Sequence, residues 1–198
     1  MNSLDKGIMS KQRITSGSLK NRPLVTADGV TRPLTDRIKL AIISTIQGFV
    51  EGAKAMDLFA GSGGFGFELI SRGAREVTFV ELSGDAMNAV RRNASELGVA
   101  AQCKFALADV IDYLTRSSGV EDAAKFDIIF ADPPFPMPIE EKNRAVSLAA
   151  ERLLNDGVLV FRYPIEDEPD IITPAALQLA KQKKYGRSIV CYFTHKPQ

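Results

Sequence analysis

The chain has 198 residues, among them 25 lysines and arginines, 24 aspartates and glutamates and one histidine. This length suits a single domain, or a domain with a small appendage, and a hydrophobic share of 45% is typical of a folded globular protein. The net charge of +1 excludes a protein that binds nucleic acid through a uniformly basic surface. No apolar run is as long as a membrane span and the first 20 residues contain no apolar signal segment, so we expect a cytoplasmic protein.

Metal and disulfide chemistry have little support in the sequence. The two cysteines, Cys103 and Cys191, lie inside apolar runs without a CxxC pair, and His195 has no Cys or His nearby in the sequence. We therefore expect no metal site, no disulfide framework and no serine or cysteine catalytic triad.

The amino-terminal part of the chain predicts two elements. Residues 1–34 are polar and rich in turn-forming residues, which indicates a small β-hairpin extension after a loose start. Residues 35–50 follow, with apolar side chains at helical spacing from Ile38 to Phe49. This spacing predicts an amphipathic helix with Thr35 as its N-cap.

The remainder of the chain alternates between short apolar runs and helical patterns. The runs are continuous, as in strands buried on both faces of a parallel sheet, and lie at 55–59, 77–80, 103–108, 126–131 and 158–163. The helical patterns lie between them, at 64–72, 85–97, 110–115 and 139–154. This order predicts a doubly wound α/β sheet. The tail, 176–185 and 187–194 around Gly186, predicts an antiparallel hairpin that closes one sheet edge.

A glycine-rich turn follows the first of these strands, in the segment Asp57-Leu58-Phe59-Ala60-Gly61-Ser62-Gly63-Gly64-Phe65-Gly66. Gly61 and Gly63 permit a tight turn and let a ligand approach bare backbone, while the following helix offers unpaired N–H groups. With Gly66 the spacing matches GxGxxG, the pattern of dinucleotide sites. Taken alone, the pattern also fits a plain strand-to-helix turn.

Four acidic residues stand at or near the ends of successive strands. Asp57, Glu81, Asp109 and Asp132 are separated by about one βα unit each, which places them along one edge of the sheet. Glu81 is suited to accept hydrogen bonds from both hydroxyls of a ribose. Asp109 could meet an adenine edge or cap the next helix, and Asp57 could face an ammonium group or orient the turn.

The fourth strand ends in Asp132-Pro133-Pro134-Phe135. The two prolines remove backbone donors and stiffen the turn, which then presents carbonyl groups. Asp132 and the Pro133 carbonyl are placed to accept the two N–H bonds of an exocyclic amine, while Phe135 stacks on the base. This combination predicts a site for a planar base that is held by its amine.

These motifs resemble those of the S-adenosylmethionine-dependent amino-methyltransferases. The chain is most similar to the RsmD family, bacterial methyltransferases that act on the guanine exocyclic amine of 16S ribosomal RNA. The resemblance covers most of the chain, including Arg13-Ile14, Lys20-Asn21-Arg22-Pro23-Leu24, Arg32-Pro33-Leu34-Thr35-Asp36-Arg37 and Leu69-Ile70-Ser71-Arg72-Gly73-Ala74. The chain departs from the family at Leu34, where threonine is usual, and at Phe161-Arg162-Tyr163-Pro164, which replaces an acidic ending of the fifth strand.

The resemblance implies a class I methyltransferase fold: a Rossmann-like, mostly parallel sheet with an antiparallel C-terminal hairpin and a small N-terminal β-hairpin extension. It implies an RNA-contacting extension at 1–34 and a methyltransferase domain at 35–198. The cofactor would be S-adenosylmethionine, bound by Asp57, Phe59, Gly61, Gly63, Glu81, Leu82, Ala108 and Asp109. The catalytic residues would be Asp132, Pro133 and Phe135.

The implied reaction is direct attack of the amine on the sulfonium methyl group, without a covalent enzyme intermediate and without a metal. The extra proton of the methylated amine would pass to Asp132 or to water. The implied substrate is 16S ribosomal RNA, naked or within a small-subunit particle, and the protein would act as a monomer.

Three other functions are compatible with parts of the sequence. A nicotinamide-dependent oxidoreductase would use the glycine pattern and Glu81, but it leaves the Asp132–Phe135 turn unexplained. An amino-methyltransferase could instead act on adenine in DNA or glutamine in a protein. A non-catalytic RNA-binding or assembly protein would need no reacting groups.

The near-zero net charge conceals an uneven distribution. Residues 1–40 carry eight basic and three acidic residues, and residues 180–198 carry five basic residues and no acid. Residues 41–179 carry twelve basic and twenty-one acidic residues. The basic ends are candidates for phosphate contacts, or simply solvated surface, and the acidic middle contains the proposed site for a cationic cofactor.

Overall fold

The computed structural model of the chain describes residues 12–27, 34–116 and 125–197. The predicted loose start and the Arg32-Pro33 part of the family resemblance lie outside the described residues. Within these ranges no helix is both long enough and apolar enough to cross a membrane.

A seven-stranded sheet forms the centre of the molecule. Its strands, in chain order, are β3 (Lys54–Leu58), β4 (Glu76–Glu81), β5 (Cys103–Leu107), β6 (Phe126–Ala131), β7 (Leu153–Pro164), β8 (Leu177–Tyr185) and β9 (Ser188–His195). Their spatial order is β5-β4-β3-β6-β7-β9-β8. The first five are parallel, and β9 pairs antiparallel with both β7 and β8. The predicted doubly wound sheet and its C-terminal hairpin are confirmed.

Helices cover both faces of this sheet, and their bounds are α1 (Asp36–Thr45), α2 (Gly64–Ser71), α3 (Gly84–Leu97), α4 (Val110–Arg116) and α5 (Ile139–Ala150). Three short 3-10 helices span Gln47–Phe49, Ala100–Gln102 and Ile165–Asp170. One hydrophobic core lies beneath α1, α2 and α3, and the other lies beneath α4 and α5. Because β3 to β7 run parallel, their carboxyl ends lie at the same end of the sheet, where ligands bind in such folds.

The N-terminal hairpin is small. Strands β1 (Gln12–Arg13) and β2 (Pro23–Leu24) pair antiparallel over two residues each, as the sequence predicted in outline. Ile14 and Leu24 are buried in the same core as α1, α2 and α3. The described part of the extension therefore contributes apolar side chains to the core on this side of the sheet.

A buried ion pair fastens this segment to α2. The Nζ atom of Lys39 lies 3.1 Å from Oε1 of Glu68, and both side chains are almost completely buried. Oε1 of Glu68 also accepts the backbone N–H of Thr15 at 2.6 Å, and Lys39 donates to the carbonyl of Arg13 at 2.9 Å. Arg72 lies 3.3 Å from the other oxygen of Glu68. Buried charges need this degree of pairing, because an unpaired one would lose its hydration without compensation.

The predicted helix over 35–50 is wrong in its last five residues. Thr35 caps α1 as expected, accepting the N–H of Ile38 through its side chain, but α1 ends at Thr45. The N–H of Ile46 is shared between the carbonyls of Ile42 and Ile43, a bifurcated bond that tightens the helix end into the following 3-10 turn.

Two further predictions need correction. The helix predicted over 139–154 ends at Ala150, and Leu153 instead begins β7, where it pairs with Phe126 of β6. The run at 103–108 does form a strand, β5, but it is not buried on both faces. It lies at the edge of the sheet, and its side chains are half-buried or exposed.

Candidate active site

The glycine turn after β3 is built from residues in left-handed conformations. Phe59, Gly61 and Gly63 have φ angles of 59°, 55° and 79°. At Gly63 a Cβ atom would also lie 2.7 Å from the ring of Phe67, so neither the backbone nor the space admits another residue there without displacement. The sequence therefore fixes a sharp turn directly before α2.

Gly66, the third glycine of the pattern, serves helix packing. A Cβ atom on Gly66 would lie 2.3 Å from Cε1 of Phe79 on β4 and 3.0 Å from Cγ1 of Val77. The missing side chain lets α2 lie directly against the sheet. This contact explains the third glycine of the pattern by helix–strand packing.

Asp57 is buried beneath the turn. Its Oδ2 accepts the backbone N–H of Gly66 at 2.9 Å, and this bond satisfies one of the amides that the first turn of α2 leaves free. Burial raises the pKa of Asp57 well above its usual range, and the nearby charges of Asp132 and Glu81 raise it further. Of its two predicted roles, orienting the turn is the one that the structure shows.

Both oxygens of Glu81, at the end of β4, accept backbone N–H bonds. Oε2 accepts from Gly61 and Oε1 from Ser83, each at 2.8 Å. The carboxylate is thus tied to the glycine turn on one side and to the start of α3 on the other. Each oxygen has a second lone pair, so the group retains capacity to accept hydroxyl groups of a ligand.

The remaining predicted cofactor residues follow β4 and β5. Leu82 is 67% exposed, which is unusual for a large apolar side chain at the end of a buried strand. The N–H of Ala108 donates to the carbonyl of Glu81 at 3.0 Å, which brings the two loops together. Oδ1 of Asp109 accepts the N–H of Asp112 at 3.0 Å, so Asp109 caps α4, the second of its two predicted roles.

Asp132 stands where the strand order of the sheet reverses. Strands β3 and β6 are neighbours there, with Leu58 opposite Ala131. The chain continues from β3 to β4 on one side of this pair and from β6 to β7 on the other. The turn that follows β6 has a buried Pro133, whereas Phe135 is 39% exposed. The glycine turn and the Asp132–Phe135 turn therefore flank the same crevice.

Arg162 of β7 completes this cluster and was not among the predicted site residues. Its Nη1 donates to both carboxylate oxygens of Asp132, at 2.8 and 2.7 Å. Its Nε donates to the hydroxyl of Ser188 on β9 at 3.2 Å, and its guanidinium carbon lies 4.9 Å from the centre of the Phe135 ring. The sequence carried one signal for it: an arginine inside an apolar strand, at the end where the neighbouring strand places an acid.

The charge on Asp132 is set by two opposing effects. Burial raises its pKa, while the charge and the hydrogen bonds of Arg162 lower it; the net direction is upward. An ion pair with this geometry holds the carboxylate in one orientation.

Lys142 of α5 supports the same turn from the other side and was also missed. Its ammonium donates to the carbonyl of Phe135 at 2.8 Å and lies 2.5 Å from a carboxylate oxygen of Asp167. Its side chain is almost completely buried. Lys142 therefore connects the turn after β6 to the 3-10 helix that follows β7.

Comparisons with known proteins show the family of the chain. The family model described as Conserved hypothetical protein 95 matches residues 12–194. Ribosomal RNA small subunit methyltransferase D of Haemophilus influenzae is 34% identical over 188 residues, a match that covers 91% of each chain. The chain belongs to this family. The resemblance that the motifs suggested is thereby confirmed.

Solved structures confirm the class I methyltransferase fold. The Escherichia coli protein yhhF is 22% identical with a TM-score of 0.82, and the match covers 96% of this chain and 100% of that one. SMU.776, solved in complex with SAH, is 15% identical with a TM-score of 0.68, and the match covers 88% of this chain and 52% of that one.

Proposed function

We propose that this protein is an S-adenosylmethionine-dependent methyltransferase that methylates the exocyclic amine, N2, of a guanine in 16S ribosomal RNA. One observation carries the proposal. The Asp132-Pro133-Pro134-Phe135 turn lies across the crevice from the glycine turn, so an amine held at one and a methyl donor held at the other would meet. The family membership gives the reaction class and the ribosomal RNA substrate class.

The donor set on the β3 side fits an adenosyl cofactor. The Glu81 carboxylate is held still by two backbone N–H groups, which prepares it to accept ribose hydroxyls. The charges of Asp132 and Glu81 lie close enough to Asp57 to raise its pKa, and this concentration of acid favours a cationic ligand such as a sulfonium. When bound, S-adenosylmethionine supplies the electrophilic methyl group. We assign its binding to Asp57, Phe59, Gly61, Gly63, Glu81, Leu82, Ala108 and Asp109.

The protein groups on the β6 side hold the amine. The Asp132 carboxylate and the Pro133 carbonyl accept its two N–H bonds, which leaves the nitrogen lone pair directed away from them. Phe135 stacks on the base and fixes its plane. Since the acceptors are preorganised in a turn that two prolines stiffen, alignment and charge placement supply much of the rate enhancement. The proton that the amine loses passes to Asp132 or to water.

Basic side chains supply the contacts to the RNA backbone. The turn between β8 and β9 lies at the end of the sheet where the parallel strands have their carboxyl ends. Ser188 pairs there with Pro164 at the end of β7 and with Tyr185 at the end of β8. Lys184 and Arg187 are exposed there. Residues 1–34 would form a second contact beside the methyltransferase domain at 35–198, with a naked RNA or a small-subunit particle as substrate. We expect a cytoplasmic monomer that needs no metal.

The decisive experiment is transfer of labelled methyl groups into small-subunit RNA from cells that lack this protein. Digestion to nucleosides should release N2-methylguanosine, and naked RNA, mature subunits and assembly intermediates should be compared as substrates. Label in DNA or protein but not in RNA would overturn the substrate assignment. Tight NAD(H) binding without S-adenosylhomocysteine binding would favour the oxidoreductase instead.

Variants separate the two halves of the site. Asp132→Ala should slow transfer by about two to four powers of ten while binding S-adenosylhomocysteine normally. Glu81→Ala and Asp57→Ala should act mainly through weaker cofactor binding. Loss of methyl transfer in Asp132→Ala with RNA binding retained would argue against the non-catalytic alternative, whereas RNA binding by the wild type without any methyl transfer would favour it.

A further inference from the structure

We propose that Arg162 is a positioning residue that keeps the Asp132 carboxylate in its two-acceptor form, and that this form makes the site select guanine over adenine. The inference rests on the proposed function and concerns the same site.

The geometry of Arg162 is specific for an ionised partner. One nitrogen, Nη1, contacts both oxygens of Asp132 at 2.8 and 2.7 Å, and a guanidinium has no acceptor for a carboxylic acid proton. Arg162 is itself 8% exposed and is held from behind by Ser188 at 3.2 Å. These contacts fix the position of the guanidinium. A mobile cation at the surface would not hold the Asp132 carboxylate in the same way.

The other charged groups around Asp132 do not take over this function. Asp57 on β3 is close enough for the two acids to repel each other, and Glu81 on β4 adds to the negative charge beneath the crevice. Lys142 on α5 reaches the same turn, but its ammonium is bound to the Phe135 carbonyl and to Asp167. Burial favours the protonated acid at Asp132, and Arg162 opposes it.

The protonation state decides which base fits. An ionised carboxylate only accepts hydrogen bonds, and guanine presents two adjacent donors, N1–H and N2–H. Adenine presents its amine beside the N1 lone pair, which would face a carboxylate oxygen without a proton between them. A protonated Asp132 would reverse the preference, since it offers one donor and one acceptor. A site built to bind an N–H group discriminates strongly against an analogue that lacks it.

The position of Arg162 on Phe135 is consistent with this role. The guanidinium carbon lies over one face of the Phe135 ring, 4.9 Å from its centre, and Phe135 is 39% exposed. The opposite face remains for the base to stack upon. Arg162 thus fixes both groups that contact the base, the ring and the carboxylate.

The test is the pH dependence of methyl transfer at saturating cofactor, for wild type, Arg162→Met and Arg162→Lys. In Arg162→Met the acid limb of the profile should move up by about one to three pH units, since this is the usual effect of an adjacent arginine on an aspartate. Transfer at neutral pH should fall and recover at higher pH, and Arg162→Lys should restore part of the activity. Arg92→Met removes an arginine from an exposed pair with Glu96 and should give the wild-type profile.

A second substrate tests the selectivity directly. RNA with 2-aminopurine in place of the target guanine keeps the amine at C2 but has no N1–H. Wild type should methylate it at least about tenfold more slowly than guanine. The ratio should shrink in Arg162→Met below the acid limb of its own pH profile, where we expect Asp132 to be protonated.

The outcomes distinguish the inference from the proposed function. If wild type forms N2-methylguanosine but the Arg162→Met profile is only lowered uniformly, Arg162 is structural and the inference fails alone. If wild type forms none, the proposed function fails. Should Arg162→Met not fold, Ser188→Ala loosens Arg162 while keeping its charge, and a shift of its acid limb in the same direction but smaller is expected. The inference would also be overturned if the acid limb of the pH profile stayed at its wild-type position in both Ser188→Ala and Arg162→Lys.

Discussion

The Nδ2 atom of Asn93 donates to the carbonyl oxygen of Ser62 at 3.1 Å. Asn93 lies on α3 and is almost completely buried, while Ser62 is part of the glycine turn. The same side chain exchanges two hydrogen bonds with the backbone of Val25, at 2.8 and 2.9 Å. Gln12 adds a bond to the Ser62 hydroxyl at 2.8 Å. Two side chains outside the glycine pattern therefore hold the turn and join it to the N-terminal segment.

Asn93→Ala should destabilise the protein by about 1–3 kcal/mol, because it leaves buried backbone groups without partners. Asn88→Ala is the matched control, since Asn88 is exposed on the same helix and its loss should change stability by about 0.5 kcal/mol or less. Urea denaturation measures both. Equal effects of the two substitutions would show that the Asn93 bridge contributes little.

The Lys39–Glu68 pair should behave as a buried ion pair. Lys39→Met should cost about 3–5 kcal/mol, because it leaves a fully buried carboxylate with one cation fewer. The double variant Lys39→Met/Glu68→Gln should recover much of this loss, since the amide keeps an acceptor for the Thr15 N–H without a charge. Denaturant titrations of the two single variants and the double variant give the coupling free energy. A double variant no more stable than Lys39→Met would argue against a charge effect.

Gly66→Ala should disturb the packing of α2 on β4. The added methyl would overlap the Phe79 ring, and overpacking of this kind typically costs about 1–3 kcal/mol. Gly84→Ala is a suitable comparison, because a Cβ there has no heavy atom within 4 Å. This second substitution should be neutral or slightly stabilising. Thermal unfolding of both variants checks the contrast, and a stable Gly66→Ala would mean that α2 shifts without cost.

Asp57→Asn should change how stability depends on pH. The folded-state pKa of Asp57 is raised, so the native protein binds a proton more tightly than the unfolded chain does. Its titration therefore lowers stability as the pH rises from about 4 through the folded-state pKa. Asparagine keeps an oxygen for the Gly66 N–H but does not titrate. The stability of the variant relative to wild type should rise with pH above about 4 in urea titrations, and a constant difference would contradict this.

Much of the fold could be predicted from local pattern. Continuous apolar runs separated by helical periods indicate a doubly wound sheet regardless of the partners of each strand. The glycine turn, Glu81 and Asp132 were likewise predictable, since each follows a strand and the carboxyl ends of parallel strands share one edge.

Other features required the register of the sheet. Arg162 meets Asp132 only because β6 and β7 pair with a shift between Phe126 and Ile128, and no local signal encodes that shift. Leu153 fits the helical period of the preceding residues, yet pairing with Phe126 places it in a strand. In β5, an apolar run resembled a buried strand although the strand lies at the sheet edge. Bridges such as that from Asn93 to Val25 span too many residues for any spacing rule.

Among the described residues, the outer edge of β8 pairs with no other strand, which bears on self-association. This strand is nine residues long and lies at the end of the sheet, where another chain could add a strand to it. It carries Lys181, Lys183 and Lys184, and its pairing with β9 is irregular between Leu179 and Lys181. A second copy that aligned its own β8 there would bring like charges together along a bent strand. We therefore expect resistance to edge-to-edge aggregation to be partly electrostatic and to weaken in concentrated salt, which screens these lysines.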